Sequence, residues 1–170
     1  MEKPFVHLHN HSDYSLLDGA CKVGDLVACA AGMGMPAVAL TDHGNMFGAV
    51  EFYKKARKAG IKPILGMEAY LDTDKQGGRS REGPGRYHHL TLLAESHEGY
   101  RNLIRLTSLG YLKGFYYKPR IGLDALEAHH RGLIALSGCA KGPVADLVHL
   151  GKADQARETA ALLREIFGPE

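Results

Sequence analysis

Short apolar runs alternate with longer amphipathic stretches along most of this chain, and several of the runs end beside groups that bind cations. Pro36-Ala37-Val38-Ala39-Leu40-Thr41 is a continuous apolar segment, the pattern of a strand covered on both faces, and it gives way to Thr41-Asp42-His43-Gly44. Residues 62–71 read as a further strand carrying Glu68, residues 87–94 as one carrying His88 and His89, and residues 132–137 as one closed by a Gly138-Cys139-Ala140 turn. Helical spacing is expected over 25–33, with Asp25 as cap and Gly34 closing, and over 46–59, stopped by Gly60. Helices are also expected over 98–109, with Tyr100, Leu103, Ile104 and Leu106 inward, and over 123–129, 144–150 and 153–167. This alternation is the signature of parallel βα units, in which ligands gather at the carboxyl ends of the strands.

The amino-terminal stretch Val6-His7-Leu8-His9-Asn10-His11-Ser12-Asp13 sharpens that expectation. Its three histidines at alternate positions, directly after Phe5-Val6, predict the end of a buried strand whose imidazoles leave on one side. Neutral imidazole is a good ligand for Zn, Fe and Mn, although a His-x-His pair on its own is equally a polar turn. His11, His43 and Glu68 all fall at or near predicted strand ends, so adjacent parallel strands would bring them to one rim. The full set offered by the strand ends is His9, His11, Asp18, His43, Glu68, His89 and Cys139. A carboxylate among several imidazoles can bridge two or three hydrolytic metals whose charges would otherwise repel.

Other stretches are less specific. Residues 72–86 lack hydrophobic side chains and are dense in glycine and charge, which predicts a mobile, solvated loop. Gly114-Phe115-Tyr116-Tyr117-Lys118-Pro119-Arg120 predicts an aromatic and basic loop, which could stack bases and pair phosphates or could pin itself against a core. His88 should point away from its neighbour His89, while His97, His129, His130 and His149 suit the surface and Cys21 and Cys29 suit packed thiols. At 170 residues the chain is expected to be one domain, and its net charge of +2 is too small for bulk attraction to nucleic acid. Three scattered cysteines, an amino terminus without signal-peptide character and the lack of a membrane-length apolar run predict a cytoplasmic protein with no membrane partner. Neither a phosphate-cradling Gly-x-x-x-x-Gly-Lys loop nor a convincing serine nucleophile is present.

Taken in order, several of these motifs resemble those of a known family. His-Leu-His-Asn-His-Ser at 7–12, Ser-Leu-Leu-Asp-Gly at 15–19, Thr-Asp-His-Gly-Asn at 41–45, Phe-Gly-Ala-Val-Glu-Phe-Tyr at 47–53 and Lys-Pro-Ile-Leu-Gly-Met-Glu at 62–68 resemble the polymerase and histidinol phosphatase (PHP) domain. His-Leu-Thr-Leu-Leu-Ala, Gly-Tyr-Arg-Asn-Leu, Phe-Tyr-Tyr-Lys-Pro-Arg and Leu-Ser-Gly-Cys resemble the branch found at the amino terminus of bacterial DNA polymerase III alpha subunits. The resemblance implies an α/β fold, a distorted (β/α)7-type barrel, of which residues 1–170 would be the amino-terminal portion, truncated on its carboxyl-terminal side.

It also implies up to three divalent metals, Zn, Mn or Fe. His9 and His11 would hold the first, Glu68 would bridge to a second completed by His89 and Cys139, and Asp18 and His43 would serve a third. Glu68 and His43 would be the residues on which catalysis turns, with His7 and Asp42 orienting the ligands. A later Asp and His of the family pattern have no counterpart before Glu170, so the first and third metals would each lack a ligand and the barrel would keep an open edge. The activity implied is phosphoester hydrolysis of 3′-5′ exonuclease or pyrophosphatase type, with DNA and other polymerase holoenzyme subunits as partners. A non-catalytic scaffold in that holoenzyme is the alternative, and a free-standing small-molecule phosphatase is a third, against which the Phe-Tyr-Tyr-Lys-Pro-Arg stretch argues.

Overall fold

The computed structural model describes residues 5–16, 18–73 and 87–168. Its elements run α1 (Val23–Gly32), β1 (Ala37–Leu40), α2 (Ala49–Lys58), β2 (Lys62–Asp72), β3 (His88–Ala94) and α3 (His97–Leu112), then β4 (Phe115–Tyr116), β5 (Lys118–Gly122), α4 (Leu123–Ala128), β6 (Leu133–Leu136), α5 (Pro143–His149) and α6 (Ala153–Phe167). From residue 74 onward, the loop expected over 72–86 lies outside the described residues.

The sheet is assembled on β2. Its eleven residues are long enough to take β1 in parallel along 62–65, β5 in parallel along 70–72 and β3 antiparallel along 66–71, and β3 in turn pairs antiparallel with β6. Because strand side chains alternate, Met67, Ala69 and Leu71 enter the main core while Glu68 and Tyr70 face the other way. That core adds Leu90 and Leu92 from β3, Leu103 and Leu106 from α3, Ile121, and Leu126. A smaller core joins Val23, Val27 and Ala30 of α1 to Val38, Leu40, Phe52 and Ala56. Helix α3 starts where the Ser96 hydroxyl accepts from the Gly99 N–H at 3.1 Å, and Leu103 and Leu106 are its inward residues, whereas Ile104 is 42% exposed.

Besides Ile104, and Cys21 and Cys29, which are exposed rather than packed, four expectations change. Residues 5–11 carry no regular strand and none of them is fully buried: Phe5 is 66% exposed. They still run beside β1, with Ala39 N–H donating to the His7 carbonyl and Thr41 N–H to the Asn10 carbonyl. Two steps along β1 thus match three along this segment, and side chains absorb the mismatch. The Asn10 amide donates to the Ala39 carbonyl, and the Thr41 hydroxyl oxygen accepts from Asn10 N–H, each at 3.0 Å. Second, β3 runs antiparallel rather than parallel. Third, residues 114–120 form the hairpin β4–β5 rather than a loop, turning at Tyr117 with φ 58°. Fourth, α1 begins before Asp25, which sits in its first turn while Lys22 takes the cap position.

Candidate metal centre

Glu68 leaves β2 on the face opposite the core, is 1% exposed, and is surrounded by imidazoles that arrive by three routes. After β1 the chain continues beside β2: Glu68 N–H donates to the Asp42 carbonyl at 3.0 Å and Gly44 N–H to the Glu68 carbonyl at 2.8 Å. This sets His43 against Glu68. The turn needs glycine next, because Gly44 has φ 61° and an added Cβ would lie 2.7 Å from the Pro119 ring. The irregular segment beside β1 brings His9 and His11. The antiparallel direction of β3 brings its beginning to the end of β2, so His89 stands opposite Tyr70.

Asp18 is delivered by a loop folded around one buried carboxylate. Asp42 Oδ1 accepts from Ser12 N–H at 2.7 Å and from the Ser15 hydroxyl at 2.6 Å, and its Oδ2 accepts from the Ser12 hydroxyl at 2.8 Å. The Ser15 oxygen in turn accepts from His43 N–H at 3.0 Å, tying this loop to the His43 turn.

The resulting distances are short. Glu68 Oε1 lies 3.3 Å from His9 Nε2 and 3.1 Å from His89 Nδ1, and Oε2 lies 3.3 Å from His11 Nε2 and 2.7 Å from His43 Nδ1. His43 Nε2 stands 2.5 Å from Asp18 Oδ2. Three overlapping groups, His9/His11/Glu68, His11/Asp18/His43 and His43/Glu68/His89, each hold their donor atoms within 4.8 Å of one another.

Electrostatics follow from that crowding. Burial pushes the Glu68 carboxyl up and is the largest single effect, yet His11, His43, His89 and His9 together outweigh it and hold the group far below the usual carboxylate range. For His43, burial pushes the imidazole down, but Glu68 and Asp18 outweigh it and raise it above its ordinary value. The exposed Asp18 carboxyl is held low by His43. Positive charge is therefore favoured between these groups. Among the described residues, His11 Nδ1, His43 Nδ1 and Glu68 Oε2 are buried without a hydrogen bond of good geometry, even though the last two are 2.7 Å apart. Buried donor atoms of this kind, imidazole and carboxylate together, fit divalent transition-metal ions.

The structure thus brings together His9, His11, Asp18, His43, Glu68 and His89. Cys139 is in none of the three groups: it is exposed on the turn after β6, where its sulfur accepts from Lys141 N–H at 3.4 Å. His7 is exposed with its ring against Phe5, and Asp42 acts through the serine loop rather than on an imidazole. His88 is turned away and buried, 3.6 Å from Asp146. Sequence reasoning passed over Tyr70, whose ring stacks on His43 with centroids 5.7 Å apart and 12° between planes. Its position two residues after Glu68 on one strand was the available signal.

A family model described as the PHP domain matches residues 7–170. The chain belongs to the PHP domain family. Curated relatives of this PHP domain are all the more specific: a DNA polymerase III subunit alpha of Borreliella burgdorferi is 47% identical over 96% of this chain and 14% of its own length. The subunit of that name from Deinococcus radiodurans is 48% identical over 98% of this chain and 13% of its own, and that of Thermus aquaticus 49% over 96% and 14%. In each of these the PHP match covers only the amino-terminal part, so the chain spans about one seventh of these relatives. Among solved structures, an amidohydrolase from Chromobacterium violaceum overlays 62% of this chain and 32% of its own at a TM-score of 0.45 and 23% identity.

Proposed function

We propose that this PHP domain works as the amino-terminal unit of a bacterial replicative DNA polymerase, in the cytoplasm, and that its centre hydrolyses phosphoesters with divalent metals, Zn, Mn or Fe. The observation that carries the reading is a fully buried carboxylate contacted by four imidazoles. Here Glu68 divides its oxygens, Oε1 toward His9 and His89 and Oε2 toward His11 and His43, the disposition of a group that bridges two cations.

In this reading His9, His11 and Glu68 hold one ion, Glu68 and His89 a second, and Asp18 and His43 a third. Cys139 is kept as a proposed ligand of the second because its turn is fastened to β3 by His89 N–H donating to the Lys141 carbonyl at 3.0 Å. Bound ions would supply Lewis acidity toward phosphoryl oxygens and make water acidic near neutral pH. The chain's own contribution is to keep Glu68 ionised, to present imidazoles from the segment beside β1, the His43 turn and β3, and to hold Asp18 and His43 where a phosphate would enter. The substrate proposed is a 3′ end of DNA, or pyrophosphate.

Metal analysis of the purified chain, followed by a phosphodiesterase assay with and without chelator, tests this. The expected result is bound transition metal and chelator-sensitive hydrolysis that Glu68→Gln abolishes; a metal-free, inactive protein overturns it. A second reading, a scaffold for other polymerase holoenzyme subunits, draws support from Leu112, 83% exposed, and Phe115, 55% exposed. Under it Glu68→Gln lowers only melting temperature or partner binding.

A further inference from the structure

The metal centre has one wall of different chemistry. Tyr70, stacked on His43, also meets His89 with centroids 5.3 Å apart and Tyr87 at 5.2 Å, both edge-on. Alongside, β5 places Arg120 in register with Tyr70. The Arg120 guanidinium lies 5.0 Å from the Tyr87 ring centre and 5.4 Å from that of Tyr116. Lys118, one strand period earlier on the same face, holds its Nζ 5.5 Å from the Tyr70 ring centre. Tyr116 meets Tyr117 at 4.8 Å on the hairpin tip, where Tyr117 is 70% exposed. Rings and cations therefore run without a break from the imidazole cluster to solvent.

Packing accounts for the inner half of this wall: Arg120 is 5% exposed and is fixed between two tyrosines. It does not account for the outer half. Tyr117 and Lys118 are both exposed, and Tyr117 holds φ at 58°, where glycine or asparagine sits more easily. An exposed ring beside an exposed ammonium, leading to a phosphoester-cleaving centre, has the composition of a single-strand grip, in which bases stack on rings and cations pair with backbone phosphates.

We infer that the β4–β5 hairpin is the strand-binding rim of this centre and that it takes single-stranded nucleic acid, Lys118 pairing with a phosphate and Tyr117 stacking a base, so that the strand end is led toward His43 and Glu68. The inference rests on the phosphoesterase reading for what happens at the end of that path, and on the hairpin alone for the binding.

The test is fluorescence anisotropy of a labelled oligothymidylate with the 170-residue chain in chelator, comparing wild type with Lys118→Gln and Tyr117→Asn. Asparagine suits the positive φ, and circular dichroism with a melting scan confirms that each variant is folded. Each substitution is expected to weaken binding by about fivefold or more, and Lys118→Gln to reduce the salt slope by about 0.7. A duplex of the same sequence should bind more weakly than the single strand. Equal binding by wild type and both variants, or no preference for the single strand, overturns the rim. Absence of hydrolysis with metal restored, alongside binding that the variants impair, overturns the phosphoesterase reading and leaves the rim in place.

Discussion

At the scale of single residues, two carboxylates do different work. Glu68 is charged, buried and divided among imidazoles, so Glu68→Gln removes the negative charge that makes a multi-cation site tolerable. The expected outcome is loss of at least tenfold in metal affinity, measured by titration of the chelated protein with Zn or Mn and monitored by calorimetry. Asp42, 2% exposed, commits its carboxylate to Ser12 and Ser15. Asp42→Ala strands the Ser12 N–H and the Ser12 and Ser15 hydroxyls, three buried donors, and should destabilise by about 2–4 kcal/mol in urea unfolding. It should also release Asp18, so that in the proposed centre fewer metal ions bind per chain, measured by metal analysis after loading and desalting. That His9, His11, Asp18, His43, Glu68 and His89 would gather was legible because imidazoles and carboxylates recur beside the predicted strands. Tyr70 was not, since tyrosine is an ordinary strand residue and nothing in its identity marks a ring that will lie on a ligand.

At the scale of elements, the sheet was legible as a set of strands but not as a set of directions. Leu90, Thr91, Leu92 and Leu93 are all buried, and a short run covered on both faces reads the same whether it enters parallel or antiparallel. The hairpin was hidden for a related reason: its turn is made by Tyr117 rather than by Gly or Asn, so the usual punctuation is missing. Two substitutions probe these elements. Leu90→Ala empties a fully buried site in the core between β3 and α3 and should cost about 2–5 kcal/mol, read from the denaturation midpoint at unchanged slope. Gly44→Ala sets a Cβ 2.7 Å from Pro119 at φ 61° and so pushes β5 away from the His43 turn. It should destabilise by about 1–3 kcal/mol and weaken metal binding together, whereas a stability loss with unchanged metal affinity would show that the turn does not place His43.

At the scale of the whole molecule, the centre ties together pieces that the hydrophobic cores hold only in part. One core joins α1, β1 and α2, the other joins β2, β3 and the later helices, and the imidazoles come from both sides of that division. Metal binding should therefore act as a clamp between them. At free metal one hundred times the dissociation constant, the native state gains about 2.7 kcal/mol, and the melting temperature should rise with metal concentration and fall with chelator. A melting temperature indifferent to both would mean that the groups do not share ions. The division into two cores was not visible in the chain, because both draw on Leu, Ile and Ala and only the topology separates them.

The reversed entry of β3 has a bearing on assembly. His89 comes from a strand whose first residues, not its last, adjoin Glu68, and it lies 21 residues further along the chain than Glu68. His9, His11 and Glu68 are thus all synthesised before His89. In the proposed centre the donors at the amino-terminal end, His9, His11 and Glu68, are fixed in the chain before the strand that brings His89, so the second group waits on the pairing of β3 with β2.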